Sequence, residues 1–485
     1  MSTRNWLLLF GLVTGLLNPL ISSAAEQPNF LLIMCDDLGW GDVGFHGNTV
    51  IQTPHLDEMA ANSLRFTRFY AASAVCSPTR GSFVTGRHPS RYGIHTANDG
   101  HLLPDELSLA ELLKQQGYVT GHFGKWHLGT LTETVRDSNR GGRTGSKHFS
   151  PPWNNGFDVC FSTEAKVPTY DPMLKPSKQA SGDGWEPIAD QTQAVPYGTR
   201  YWDERGEIIT DNLEGDDSRV IVDRVVPFLR QAAKEGQPFL AIVWFHAPHL
   251  PVVASPKHRA MYAEYSSYQQ NYYGCITALD EQIGRLRASL KEFGIDENTL
   301  VTFCSDNGPE GREGEAPGSA GPFRGRKRDL FEGGIRVPGL IEWPARIAPG
   351  STDFPAVTSD YLPTVLDILD VDLPNDRPFD GISLLALFDG ALDERPVPIP
   401  FAFKGKLALS DNRFKLVSYP VGMIEGNDDT AIVSKDGDRT MLFDLLADPG
   451  EATDLGDRHT DVVRHMMRTL NDWQQSCRET SSSGE

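Results

Sequence analysis

The chain has 485 residues, 39% of them hydrophobic and 23% charged, a composition that fits a folded globular protein and argues against disorder. A formal net charge of −20 argues against nucleic acid and anionic membranes as partners, so an anionic substrate would need a local cationic pocket. Six cysteines with no CxxC pair argue against a disulfide scaffold or a zinc knuckle, although one pair is free to bridge.

The first residues read as an address. Arg4 supplies positive charge, residues 6–17 are apolar, and Ser23-Ala24-Ala25 offers a cleavage site before Glu26. Residues 1–25 are therefore expected to be a signal peptide. The apolar run falls short of the roughly 20 residues that span a bilayer, so the expected product is soluble, without a stable membrane anchor, and periplasmic or extracellular.

The apolar run 30–34 predicts a buried strand that leads through Cys35 into Asp36-Asp37. At Cys76-Ser77-Pro78-Thr79-Arg80, Ser77 suits an N-cap and Pro78 a first helical turn, which would put Cys76 at the positive end of a helix. That position lowers a thiol pKa and favours anions. A cysteine nucleophile, an anion site and a plain buried cysteine all remain open there. Residues 107–116 predict a helix, and the strand expected over 118–123 leads to Gly124-Lys125-Trp126-His127. Residues 131–205 predict long loops whose aromatics, Trp153, Trp185, Tyr201 and Trp202, either stack on a substrate or anchor the loops.

Further on, the strand 239–245 ends at His246-Ala247-Pro248-His249, a helix is expected over 272–293, and the strand 300–303 ends at Ser305-Asp306-Asn307-Gly308. Ligands bind beyond the carboxyl ends of strands in open α/β sheets, so these polar clusters converge if the strands are neighbours. The alternation predicts an α/β fold with a helix-covered sheet. Short runs at 406–410, 414–419 and 441–445 and a helix over 461–473 predict a smaller C-terminal α+β subdomain. The expected division is 26–394 for the main domain and 395–485 for the subdomain.

Asp36, Asp37, Asp306 and Asn307 offer hard oxygen donors for Ca²⁺ or Mg²⁺. Either pair alone is as readily a cap or turn; both together on separate strands favour a metal. Lys125, Lys327 and Arg80 could supply charge to an oxyanion, though each alone reads as a solvated surface residue, and His127 and His246 are candidate proton carriers, though a lone histidine at a strand end is more often structural.

Cys76-Ser77-Pro78-Thr79-Arg80, with Thr85-Gly86 after it, resembles the C-x-P-x-R motif of the type I sulfatases. Residues 117–127 resemble that family's second motif, and the blocks at 33–41, 245–251, 305–308, 324–338 and 442–455 follow in the family's order. The resemblance implies an alkaline phosphatase-like fold with a large mixed sheet flanked by helices. It also implies a sulfuric ester hydrolase in which a separate maturation enzyme oxidises Cys76 to formylglycine, reading Pro78 and Arg80. One hydroxyl of the aldehyde hydrate then attacks sulfur, and the second ejects sulfate from the resulting hemiacetal.

By the same resemblance Asp36, Asp37, Asp306 and Asn307 bind Ca²⁺ together with residue 76, Lys125 and Lys327 grip sulfate, and Arg80 orients the hydrate. His127 is then the expected base and His246 the expected acid. His249 is a candidate substrate contact or a packing residue. Thr79 stands where the family more often has Ser, and Val84 where Leu is usual. A sulfated carbohydrate is the expected substrate. The alternatives are small aryl sulfates, phosphonate or phosphate esters on the same fold, and a non-catalytic carbohydrate-binding relative.

Overall fold

The computed structural model describes residues 27–480 except 144, 179–183, 189–190, 374 and 420–438; the expected signal peptide lies outside the described residues. The core is a mixed sheet of strands β1 (Asn29–Cys35), β2 (Leu64–Tyr70), β3 (Val119–Lys125), β4 (Val159–Thr163), β5 (Phe239–Trp244), β6 (Thr299–Ser305), β7 (Arg336–Glu342), β8 (Gly350–Thr352) and β9 (Ala356–Val357). The spatial order is β8-β2-β7-β6-β1-β5-β3-β4, with β9 also on β2. The run β6-β1-β5-β3-β4 is parallel, whereas β7 is antiparallel to both β6 and β2.

Strand β1 shows why the sheet lies at the centre. Phe30, Leu32 and Met34 enter one core, while Leu31, Ile33 and Cys35 enter another on the opposite face. Both faces of a parallel strand are covered by helices, so its sequence is apolar without alternation. Each such Leu or Phe stabilises the fold by about 1.5–3 kcal/mol on burial.

Helices α1 (Cys76–Thr85) and α2 (Leu109–Gln115) lie on the first face, and α3 (Asp217–Glu235) and α4 (Ser267–Phe293) on the second. Their ends follow local chemistry. Ser108 and Glu111 form a capping box on α2, Asp216 caps α3 through the Arg219 N–H, and α4 stops at Gly294 with φ 70°. Helix α1 departs from expectation. It begins at Cys76 itself, with Val75 at the cap position and no side-chain cap bond, and Ser77 Oγ is buried without a hydrogen-bond partner. The Thr79 hydroxyl holds this turn instead, accepting from Ser73 N–H at 3.2 Å and lying 3.0 Å from the Ser73 carbonyl.

An antiparallel sheet follows, β10 (Ile399–Phe403), β11 (Lys406–Ser410), β12 (Phe414–Tyr419) and β13 (Arg439–Asp444), with α5 (Thr460–Thr480) after it. One face packs Phe401, Val417 and Phe443 against Tyr70, Val75, Phe331 and Ile335 of the main unit; the other packs Leu409, Leu416 and Leu442 on Met466 and Leu470 of α5. Lys415, fully buried, lies 2.9 Å from Glu332 and 3.0 Å from Glu451. Lys406 Nζ donates to the Arg328 carbonyl at 3.2 Å and to Asp329 at 3.0 Å.

All six cysteines are buried free thiols. No helix among the described residues is long and apolar enough to cross a membrane. Residues 131–205 are not loops throughout, since β4 extends the main sheet. Two of their aromatics serve as anchors: Tyr201 is buried, stacks on Phe161 at 4.0 Å and donates to Asp217 at 2.6 Å, while buried Trp202 donates to Asp137 at 2.6 Å.

Candidate active site

Parallel pairing fixes where the polar clusters fall. The registers Cys35 to Ser305, Met34 to Trp244, Gly124 to Trp244 and Lys125 to Thr163 bring the carboxyl ends of β1, β6, β5, β3 and β4 side by side. Gly124 has φ 105°, and a Cβ there would lie 1.9 Å from the Trp244 carbonyl oxygen, so only glycine lets β3 close on β5 just before Lys125. The ends open on a cavity of about 340 Å³ lined by Cys76, Lys125, His127, His249, Glu310 and Lys327, among others.

Asp36, Asp306 and Cys76 place their ligand atoms within 4.8 Å of one another, and so do Asp36, Asp37 and His249. Arg80, fully buried, donates to Asp306 at 2.6 Å and to the Lys125 carbonyl at 2.9 Å, and its guanidinium lies 5.1 Å from the Trp244 ring centroid. Lys125 donates to Asp36 at 2.6 Å, and Lys327 to both oxygens of Asp37 at 2.6 and 2.8 Å. Asn307 Nδ2 donates to Asp37 Oδ1 at 2.7 Å. Two buried oxygens of this set, Asp36 Oδ1 and Asn307 Oδ1, have no hydrogen-bond partner.

A buried acceptor without a donor costs about 1–3 kcal/mol. Three carboxylates and an amide oxygen with such unused lone pairs fit a hard divalent cation such as Ca²⁺ or Mg²⁺. The electrostatics agree. Burial, and then the charge on Asp36, raise the Asp306 carboxyl to about 7. Burial also works against ionised Asp36, but Lys125, His249 and Arg80 outweigh it and hold that carboxyl well below the usual range.

Cys76 is 2% exposed at the head of α1. Burial raises its thiol pKa despite the opposing charges of Lys125 and Lys327. That ordering counts against a plain thiolate nucleophile.

Three histidines divide by environment. His127 follows β3 with φ 58°, a strained value for a residue with a Cβ; its Nε2 lies 2.7 Å from Asn98 Oδ1 and its Nδ1 is buried and unpartnered. Burial, then Lys125 and Arg140, hold the ring well below the usual histidine range. His246, expected at the rim as the acid, is instead fully buried behind the site. Its Nδ1 lies 2.8 Å from Asp217 and its Nε2 2.8 Å from Thr163 Oγ1, so neither nitrogen faces the cavity. His249 takes the facing position. Its Nδ1 donates to the Leu250 carbonyl at 2.6 Å, which leaves Nε2 toward the site, 3.7 Å from Asp37. Burial lowers its ring to about 4 against the opposing pull of Asp36 and Asp37.

The cavity also holds residues that the motifs do not announce. Glu310 lies 3.2 Å from Lys327, and its position three residues beyond Asn307 was the one signal for it. Asn98 and Lys166 come from loops without period, and nothing in the sequence marks them.

The family model described as Sulfatase matches residues 28–371. N-acetylgalactosamine-6-sulfatase of Sus scrofa is 30% identical over 496 residues, covering 94% of this chain and 87% of that protein. Arylsulfatase A of Bos taurus is 31% identical over 494 residues, covering 96% of this chain and 89% of that protein. Among solved structures, Ps i-CgsB in complex with k-i-k-neocarrahexaose is similar at a TM-score of 0.76 and 25% identity, with 95% of each chain covered.

Proposed function

The chain belongs to the sulfatase family of the alkaline phosphatase superfamily and is a sulfuric ester hydrolase, and from that premise we propose that it is exported and removes sulfate from a sulfated carbohydrate. The observation that carries this reading is the convergence of Cys76, Lys125, Lys327, His127 and His249 on one cavity above the four oxygen-bearing residues Asp36, Asp37, Asp306 and Asn307. Export rests on the N-terminal address. The carbohydrate rests on the named substrate of the porcine relative and on the oligosaccharide bound to the structural neighbour.

A sulfate ester is an anion that repels a nucleophile, so cations must hold it and stabilise the charge that develops on its oxygens. Residue 76, if converted to formylglycine by a maturation enzyme that reads Cys76 to Arg80, would supply the attacking hydroxyl, and Asp36, Asp37, Asp306 and Asn307 would hold a calcium ion that would supply Lewis acidity. Every other part belongs to the chain's own side chains. Lys125 and Lys327 both line the cavity and exchange part of their contact with Asp36 and Asp37 for sulfate oxygens. Arg80, locked by Asp306 and the Lys125 carbonyl, fixes residue 76 at the head of α1.

His127 Nδ1, unpartnered while Nε2 is held by Asn98, accepts a proton from residue 76. His249 Nε2 delivers the proton to the departing alcohol oxygen, and the negative charge of a bound sulfate ester favours its protonated form. His246 positions β4 and α3 behind them.

The test is turnover of p-nitrophenyl sulfate and a panel of sulfated saccharides, beside matched phosphate esters, with residue 76 read by peptide mass spectrometry. Release of sulfate from one or more saccharides by protein carrying formylglycine is expected. Full activity with an unmodified thiol would overturn the nucleophile, and turnover confined to aryl sulfates or phosphates would overturn the substrate.

A further inference from the structure

Beside the active-site cavity lies a second, larger one of about 580 Å³, lined by Arg136, Asn139, Lys166, Tyr197, Thr199 and Arg200 among others. Asn139 and Lys166 line both, so the two adjoin. Among the described residues no carboxylate lines the second cavity, in a chain whose net charge is −20. Two buried acids adjoin its lining residues, and both are committed: Asp137 accepts from the Trp202 indole at 2.6 Å and the Arg200 N–H at 3.0 Å, and Glu164 from Arg140 at 2.6 Å and the Asn139 N–H at 3.1 Å.

Two of the three cations, by contrast, are left free. The Lys166 ammonium is partly buried and has no hydrogen bond or ion pair among the described residues, and the same holds for the exposed Arg136 guanidinium. Arg200 is tied by one nitrogen to the Arg136 carbonyl at 2.8 Å and lies 4.0 Å from Asp137. Burial and the neighbouring charges of Lys125 and Lys327 lower the Lys166 pKa, a penalty that an anion in the cavity would relieve. Tyr197, half-buried, adds an aromatic face against which a sugar ring can pack.

We propose that this second cavity is an anion subsite in which Arg136, Lys166 and Arg200 bind a second negatively charged group of the substrate, a sulfate ester or a carboxylate on the sugar next to the one that loses sulfate. The proposal rests on the carbohydrate reading above and narrows it to polyanionic saccharides. Charge-assisted contacts of this kind, partly shielded from water, set which saccharide is accepted and leave the chemistry at residue 76 unchanged.

The test separates the subsite from the activity by measuring binding and turnover independently. Binding is read by calorimetry on the full chain carrying Cys76→Ser, with three disaccharide probes: one singly sulfated, one with an added sulfate on the neighbouring ring, and one with an added carboxylate there. Turnover is read with p-nitrophenyl sulfate on the converted enzyme. At least about tenfold tighter binding of a doubly charged probe is expected, the size of one charge-assisted contact. Arg136→Gln with Arg200→Gln should reduce that ratio to about two or less while kcat/KM for p-nitrophenyl sulfate stays within about twofold. Whichever doubly charged probe gains identifies the second group as sulfate or carboxylate. Equal binding of all three probes, or a ratio unchanged in the double variant, would overturn the subsite. Absence of p-nitrophenyl sulfate turnover would instead count against the function, and the binding ratio would still decide the subsite.

Discussion

Replacing His249 by alanine removes an imidazole that faces the cavity through Nε2, 3.7 Å from Asp37, because Nδ1 is committed to the Leu250 carbonyl. General acid catalysis contributes about 10² to 10⁴-fold, or roughly 3–5 kcal/mol of barrier. The loss should approach that range for a sugar sulfate, whose alkoxide leaves poorly, and shrink to about tenfold or less for a nitrophenyl sulfate.

His246→Ala should behave differently. Asp217 would keep the Tyr201 hydroxyl at 2.6 Å but lose the imidazole, and a cavity would open between β4 and α3. An orphaned partner and a cavity together cost about 2–5 kcal/mol of stability, without a new dependence on the leaving group. The assay is kcat/KM for wild type and both variants across aryl sulfates of graded phenol pKa plus one sugar sulfate, with metal and residue 76 checked in each preparation, and thermal melts alongside. A uniform loss across the series for His249→Ala, or a graded loss for His246→Ala, would refute the assignment.

Elemental analysis should find about one calcium or magnesium per chain, and Asp306→Ala should lose metal and turnover together; stoichiometric zinc would contradict the oxygen donor set. Burial raises Glu451 to about 7, well above its value of roughly 4.3 in an unfolded chain. Its contribution to stability is therefore fully present below about pH 4.3 and lost as pH rises through 7. Glu451→Gln should accordingly show a smaller fall in Tm between pH 5 and 8 than wild type, and parallel curves would refute this. Cys76 and Arg80 are 2% and 0% exposed, so a maturation enzyme should convert an unfolded peptide spanning residues 71–90 but not the folded unmodified chain; mass spectrometry showing conversion of the folded chain would contradict that burial.

Four strands of the large sheet, β1, β3, β5 and β6, could be read in advance from short apolar runs, whereas β2 (LRFTRFY) carries too many polar residues to announce itself, and Asp36-Asp37 and Asp306-Asn307 could be paired because strand ends gather ligands. What failed depended on atoms that one residue's neighbours cannot reveal. His246 and His249 sit three apart in the same turn, and only the positions of Thr163, Asp217 and the Leu250 carbonyl decide which ring faces inward. The start of α1 moved because Thr79 bonds back to Ser73, removing the need for a cap at Ser77. The loop aromatics read equally well as platform or anchor until Asp137 and Asp217 appeared as buried acceptors for Trp202 and Tyr201.

The small C-terminal sheet grips the segment that carries Lys327. Lys406 bonds the Arg328 carbonyl and Asp329, and Lys415 clasps Glu332 from inside the protein. One of the two lysines proposed to grip sulfate is thus held in place by strands that arrive some 75 to 90 positions later in the chain. A ribosome that stalled before residue 406, or a protease that cut near residue 395, would leave the other catalytic side chains present but Lys327 without its brace. The last quarter of the chain therefore braces the same cavity that Cys76 lines, and it should not be exchangeable for an unrelated tail.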